Sequence, residues 1–329
     1  MTRDRRGFAL IAAIWLMVAL SALGLEVALL ARQRRLAAAN AVEGAAAHAA
    51  AEAGLEHARA RLTRRLAGEP TPGRRFDRRG GGASNPSPEA FGSSDPWRAL
   101  FKVLPDTFAL DGQRYAVRLD DANARVNLNV ASESQLRRLF AAIHVDAGKA
   151  GQLTQAIADW RDSDDLARAQ GAERMDYLAA GLPFLPRNAP LVRVDELRDL
   201  FGMTAAIFSA VSPHVTVRGN GQVNVNTAER AVLRSLPGVS EEAAVAALRL
   251  RASGVVISSL EQLATALSPG ARNQLLDATA ELLPLVTFET REIEVTSEGW
   301  LAGSPSRARV SGLFVRGGGA IFFLGKRTE

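Results

Sequence analysis

The chain has 329 residues, 47% of them hydrophobic, with 40 basic side chains against 35 acidic ones and a formal charge of +5. The absence of cysteine excludes disulfides, thiolate metal centres and thiol nucleophiles, and the four histidines (His48, His57, His144 and His214) never stand at metal-ligand spacing. The length admits two ordinary domains plus an anchor, and the mixed charge is not that of a nucleic-acid tail.

The sequence opens MTRDRRG, and from Phe8 to Leu25 it carries no charge. Apolar character resumes after Glu26 and stops at Arg32, Arg34 and Arg35. A run of about 20 apolar residues crosses a bilayer as a helix. Arg3, Arg5 and Arg6 ahead of it predict a cytoplasmic N-terminus. An ordinary secretory signal would end in a small-residue cleavage site; here Gly7 stands directly before the apolar run instead. The stretch LAAANAVEGAAAHAAAEAGLEHARARLTRRLA is alanine-rich and free of proline, so the helix is predicted to run on. This gives an anchor over 8–31 and a helical extension over 32–67.

A charged leader, a glycine, a phenylalanine, an apolar span and an unbroken helical continuation resemble a type IV pilin N-terminus. The resemblance implies a leader over 1–7, removed by a prepilin peptidase between Gly7 and Phe8, with methylation of Phe8. Most members carry glutamate at the fifth mature position, where this chain has Ala12. A membrane-embedded glutamate is costly without a partner. In such filaments the partner would be the N-terminus of a neighbouring subunit, and a tip subunit has no neighbour above it.

Residues 68–96 are rich in Gly, Pro and Ser and read as a linker. Gly80, Gly81 and Gly82 have neither a preceding strand nor a following Lys-Ser/Thr, so they are not a phosphate loop. Strand alternation appears at 113–121 and returns only at 287–300, 308–317 and 320–326, with Gly317, Gly318 and Gly319 as a hairpin turn. The fold class predicted is α+β: a long N-terminal transmembrane helix packed on a small antiparallel sheet, interrupted by a large helical insertion. The sheet domain is discontinuous, 97–121 plus 287–329, and the insertion occupies 122–286.

The insertion contains an internal repeat. Val126-Asn-Leu-Asn-Val-Ala131, with Leu136 and Leu139, matches Val223-Asn-Val-Asn-Thr-Ala228, with Leu233 and Leu236. Ser132 and Thr227 are predicted to open the helices that follow. VDELRDLFGM (194–203) echoes SLEQLATALS (259–268), which gives units over 126–217 and 223–286, read as helix-hairpin-helix or SAM-like repeats.

Two functions compete for this insertion. Asn-x-Asn-Thr-Ala followed by Leu-Pro-Gly-Val looks like the hairpin of competence-type DNA receptors, which present helix N-termini to phosphate. Against it, Glu241 and Glu242 open the second helix, and Arg249 and Arg251 lie far along it. The other reading is a helical scaffold. ADWRDSDD (158–165), GAERMDYL (171–178), RNAPL (187–191) and VDELRDLFGM, in this order behind the anchor with Ala12, resemble the K-type minor pseudopilins of type II secretion systems (general secretion pathway protein K). That resemblance covers nearly the whole chain. It implies a structural tip subunit and no enzyme, contact with the I- and J-type minor pseudopilins and with the inner-membrane secretion platform, and a single-pass inner-membrane protein with its bulk in the periplasm.

Asp159, Asp162, Asp164 and Asp165 fall within seven residues, with Glu173 and Asp176 soon after. Carboxylates so close repel unless a cation, an arginine or water screens them. Asp162, Asp164, Asp165 and Glu173 are the candidate metal ligands, since calcium takes oxygens from alternating loop positions; an EF-hand glycine and terminal glutamate are missing. The competing reading is a solvated loop paired with Arg161, Arg168 and Arg174. The resemblance to K-type subunits implies calcium. No Gly-x-Ser-x-Gly elbow or His-Glu-x-x-His occurs.

Overall fold

The computed structural model describes residues 5–67, 97, 106–110 and 112–328, with the side chains of 5–12, 106 and 110 left out. The linker expected at 68–96 and the first four leader residues lie outside the described residues. In chain order the strands are β1 (Asp106–Leu110), β2 (Gln113–Asp121), β3 (Val126–Asn127), β4 (Val215–Thr216), β5 (Val223–Asn224), β6 (Val286–Thr287), β7 (Glu292–Leu301), β8 (Arg307–Gly317) and β9 (Ala320–Thr328). Helix α1 (Arg5–Leu66) precedes them all. Between β3 and β4 lie α2 (Glu133–Ala142), α3 (Ala147–Arg161), α4 (Arg174–Ala179) and α5 (Ala205–Val211). Between β5 and β6 lie α6 (Arg230–Arg234), α7 (Glu241–Ala252), α8 (Leu260–Ala264), α9 (Pro269–Asp277) and α10 (Thr279–Leu282).

Helix α1 is 62 residues long, about 93 Å at 1.5 Å per residue. Its N-terminal part is apolar all round: Trp15, Leu16, Met17, Leu20 and Leu23 are all exposed. A helix of that kind belongs in a core or a membrane, and among the described residues this one is long and apolar enough to cross a bilayer. From Ala47 onward the same helix turns one narrow face inward. Ala47, Ala50, Ala51, Leu55, Ala58 and Leu62 are buried at three- and four-residue spacing.

That face lies on an antiparallel sheet of order β1-β2-β7-β8-β9. Val117, Leu119, Ile293, Val295, Val310 and Phe314 meet it from the strands. Small residues permit a close approach. A Cβ at Gly299 would stand 2.2 Å from the backbone nitrogen of Ala51 and 2.3 Å from the carbonyl oxygen of Ala47. At the turn between β8 and β9, Gly318 and Gly319 take φ of +56° and +79°, the left-handed region that glycine tolerates.

The sheet departs from the sequence reading in two places. Strand β1, which pairs with β2 from Asp106↔Val117 to Leu110↔Gln113, was not expected; its five residues are too short for alternation to register. The strand expected from 287 begins at Glu292, because Val286 and Thr287 pair instead with Val223 and Asn224.

Both units of the insertion close in the same way. In the first, β3 pairs in parallel with β4, Val126 opposite Val215; in the second, β5 pairs in parallel with β6, Val223 opposite Val286. The second asparagine of each motif then fastens the unit. Asn129 Nδ2 donates to the carbonyls of Leu191 and Val217 (2.9 and 3.2 Å) while its Oδ1 accepts from the Leu191 N–H at 2.8 Å. Asn226 Nδ2 donates to the carbonyls of Ile257 and Phe288 (both 2.7 Å) while its Oδ1 accepts from the Ile257 N–H at 2.9 Å. The first asparagine of each pair accepts from the N–H of the second at 2.9 Å. Arg161 reaches back to the carbonyls of Leu128 and Ala131, and Arg251 to that of Ala228. Glu196 and Gln262 are likewise equivalent, each accepting from backbone N–H groups just upstream.

Ser132 caps α2 as expected, accepting from the Gln135 N–H at 3.1 Å. Thr227 does not cap its helix. Its hydroxyl donates to Asp121 at 2.7 Å, and Glu229 occupies the cap position of α6. Asp121 thereby joins the sheet to the second unit: it ends β2, is buried, and also accepts from Asn224 Nδ2 (2.7 Å) and the Asn123 N–H (2.9 Å). Beside it Glu292, at the start of β7, accepts from the Asn220 N–H at 3.1 Å. Burial pushes the Glu292 carboxyl above the usual carboxylate range.

Candidate metal site

Helix α3 is capped by Asp146 and ends at Arg161, with Asp162 as its C-terminal cap. Asp159, one turn before that end, is fully buried and points into the loop that follows. Its Oδ2 accepts from the Arg168 N–H at 3.2 Å. The Arg168 guanidinium bridges two carboxylates, with Nη1 at 2.5 Å from both Asp159 Oδ1 and Asp162 Oδ2. These two partners hold the arginine firmly in its charged form. The loop must come close: a Cβ at Gly171 would lie 1.9 Å from Asp159 Oδ2.

Glu173 precedes α4 and is only 3% exposed. Both of its carboxyl oxygens, and Asp162 Oδ1, are buried without a well-aligned hydrogen bond, and the nearby Arg174 N–H only partly favours the charged form of Glu173. Burial, and then the charges of Asp159, Asp162 and Asp165, push the Glu173 carboxyl up to about 7. Its backbone N–H donates to Asp176 Oδ2 at 2.9 Å.

Of the four candidate ligands, Asp162 and Glu173 therefore turn inward, into one cluster with Asp159. The other two are engaged elsewhere: Asp164 Oδ1 accepts from the Leu166 N–H at 2.9 Å, and Asp165 Oδ1 accepts from Asn188 Nδ2 at 2.8 Å. Both are exposed. Among the described residues no three such side chains converge as a metal site. Asp159 was not among the candidate ligands, although it lies three residues before Asp162 on α3 and so shares its face. Of the arginines expected to screen the cluster, Arg168 does so and Arg161 is spent on the closure of its unit. Orphaned buried carboxyl oxygens are the kind of feature that a cation satisfies. Gly7, Phe8 and Ala12 lie in the helical backbone of α1, and their side chains are not described.

The hairpin of the second unit is built as a helix, a Pro-Gly turn and a helix, with Gly238 at φ +70°. It is poorly suited to phosphate. Ser240 already accepts from the Ala243 N–H, and Glu241 and Glu242 put negative charge in the first turn of α7. Arg230 and Arg234 both pair with Glu241, at 2.6 and 3.5 Å. DNA binding through this element is not supported.

Residues 116–220, from β2 through the whole first unit to just past β4, match the family model described as type II secretion system (T2SS), protein K. This stretch is similar to the protein K family. The chain is 36% identical over 132 residues to type II secretion system protein K of Klebsiella pneumoniae, covering 36% of this chain and 40% of that protein. It is 32% identical over 146 residues to the Pseudomonas aeruginosa protein of the same name, covering 40% of this chain and 44% of that one. The chain thus spans less than half the length of these curated relatives. In fold it is similar to a chain of the GspK-GspI-GspJ complex from the enterotoxigenic Escherichia coli type 2 secretion system. There the TM-score is 0.56 at 23% identity, over 69% of this chain and 83% of that one. The matched stretch includes Asp159, Asp162 and Glu173, so the acidic cluster lies within it.

Proposed function

We propose that this chain is a K-type minor pseudopilin, a structural subunit at the tip of the type II secretion pseudopilus and not an enzyme. The observation that carries the reading is a stretch similar to the protein K family attached to one long apolar helix laid on an antiparallel sheet. The anchor over 8–31 crosses the inner membrane with its N-terminus in the cytoplasm. The sheet domain (97–121 plus 287–329) and the insertion (122–286, two helix-hairpin-helix or SAM-like units) lie in the periplasm as a bulky head. Its partners are the I- and J-type minor pseudopilins, the prepilin peptidase and the inner-membrane platform. Co-expression with I- and J-type subunits of the same cell is expected to yield a ternary complex, and deletion of this chain to stop export of folded proteins. Failure to associate with either subunit, with export intact after deletion, would falsify the proposal.

Processing follows from Gly7. The mature chain is expected to begin at methylated Phe8, as read by intact mass, and a bulky residue at Gly7 should leave the leader in place. A chain recovered with residues 1–7 attached, or cut beyond the apolar span, would contradict this.

A calcium ion in the acidic cluster belongs to the same proposal, with Glu173 and Asp162 supplying the orphaned oxygens and Asp159 beside them. The ion would compete with Arg168 for Asp159 and Asp162. A ligand bound only by the folded state at a hundred times its Kd stabilises by about 2.7 kcal/mol. For a chain of this size that is a rise in Tm on the order of 5 °C or more. The full chain in detergent should melt higher in millimolar calcium than in chelator, and Asp162→Asn with Glu173→Gln should remove the difference. Equal melting with and without the ion would leave Arg168 as the cluster's counter-charge.

A further inference from the structure

The two units of the insertion are built alike, and their comparison isolates one segment that the architecture does not need. In the second unit, α7 ends at Ala252 and the chain reaches Ile257, bonded to Asn226, through residues 253–256. In the first, α3 ends at Arg161 and the equivalent residue, Leu191, is reached only after residues 162–190. Closure of the fold therefore does not explain the excursion.

The excursion is ordered and apolar on its outside. Tyr177 is fully buried, its hydroxyl accepts from the Phe201 N–H at 2.8 Å, and its ring lies between Trp160 and Phe201. Asn188 Nδ2 ties the far side to Asp165 and to the Asp164 carbonyl. Outward from this fixed base stand Leu166 (78% exposed), Met175 (73%), Leu178 (52%) and Phe184 (54%). Met175 and Leu178 stand three residues apart on α4 and so share one face. An ordered apolar surface rimmed by polar groups marks an interaction site.

The rim carries unspent negative charge. Among the described residues Asp164, Asp165 and Asp176 meet no cation: they accept from the Leu166 N–H, Asn188 Nδ2 and the Glu173 N–H. Two of the three arginines in the excursion are already committed, Arg168 to Asp159 and Asp162 and Arg187 to Glu196; Arg174 is the third. We propose that the excursion is a docking surface for a protein partner whose contact face presents apolar side chains ringed by lysine or arginine. The rigid base reduces the entropy lost on binding, and Met175 adapts its shape to the partner. The inference goes beyond the tip-subunit reading and holds whether or not an ion occupies the acidic cluster.

The test uses the full chain in phosphatidylcholine nanodiscs, with empty discs as background. The probe is a labelled amphipathic helical peptide with leucines at i, i+3 and i+7 flanked by lysines, and its twin with glutamates in place of the lysines. The lysine peptide should bind at least about tenfold tighter than the glutamate peptide, and Met175→Glu with Leu178→Glu should weaken it about tenfold or more. Leu276→Glu, an exposed apolar position in the second unit, should leave binding unchanged. Equal affinity for the two peptides, or binding indifferent to the Met175/Leu178 pair, overturns the proposal. A single Met175→Cys, clean because the sequence has no cysteine, should not crosslink to itself under oxidation; efficient homodimer formation there would assign the face to a second copy and overturn it as well. An unchanged Tm for the paired variant confirms that loss of binding is not loss of fold.

Discussion

Gly299→Val is expected to lift α1 off the sheet and to destabilise the periplasmic body by about 3 kcal/mol, the upper part of the usual range for overpacking. The added Cβ would meet helix backbone: the nitrogen of Ala51 at 2.2 Å, the oxygen of Ala47 at 2.3 Å and the carbonyl carbon of Ala50 at 2.8 Å. No rotamer change relieves such a contact, because the backbone of a long helix moves only as a body. At Gly54, on the facing helix surface, the nearest atom would be the Ser297 hydroxyl at 2.1 Å. The Tyr115 ring follows at 2.8 Å, so both clashes at Gly54 are with side chains, which can shift where helix backbone cannot, and Gly54→Ala should cost less than Gly299→Ala. Gly325, in β9, has open space where its Cβ would stand, and Gly325→Val supplies the matched control. Urea unfolding of the full chain in detergent reads all four. A Gly299→Val variant as stable as Gly325→Val would mean that the close approach of α1 to β7 is not tight in solution.

How much of this was legible in the sequence depends on how far apart the interacting residues lie. Strands β2 and β7 were readable because one face is buried and the other is not, so Val117 and Leu119, and Ile293 and Val295, alternate with less buried neighbours; β8 is buried without a break from Val310 to Phe314 and β9 has no buried residue, so their apolar content and the glycine turn between them were the signal. The Asn-x-Asn repeat was visible as an identity, but its role was not. Asn129 and Asn226 act on carbonyls 31 to 88 residues downstream, and nothing local announces such partners. Thr227 was misassigned as a helix cap because Ser/Thr before an apolar stripe is a cap signal; a buried carboxylate 106 residues away takes its hydroxyl instead. In the acidic cluster, the spacing made Asp162, Asp164, Asp165 and Glu173 one candidate ligand set. The chain turns there: Asp164 bonds the N–H two residues on, and the inward carboxylates are Asp159 on α3, Asp162 at its cap and Glu173. Gly299 could not be singled out, since a glycine in a strand signals a close approach without saying to what.

Asp121→Ala is expected to loosen the helical insertion from the sheet while leaving each with its own core. Asp121 sits at the end of β2, 5% exposed, and its carboxylate takes the amide of Asn224, the hydroxyl of Thr227 and the backbone N–H of Asn123. Hydrogen bonds to a charged acceptor contribute about 1.5–3 kcal/mol each, and buried donors left without one carry their desolvation cost. Non-additivity within one cluster trims the sum, so a loss of at least about 3 kcal/mol is expected. The insertion keeps a continuous apolar cluster from Val126 to Val286, separate from the one beneath α1, so the damage should be local. Hydrogen exchange should rise over 219–227 and at the start of β7, where Glu292 holds Asn220, and much less in α3 or α7. Asp121→Asn should be milder, because its carbonyl still accepts from the Asn123 N–H. The decisive measurement is a double-mutant cycle with Asn224→Ala. Because the two side chains are bonded directly, the paired variant should be less destabilised than the sum of the single variants by about 1 kcal/mol or more. Strict additivity would show that Asp121 and Asn224 act independently, and the orientation of the head would then rest on other contacts, among them Glu292 with Asn220 and the Arg218–Glu294 ion pair.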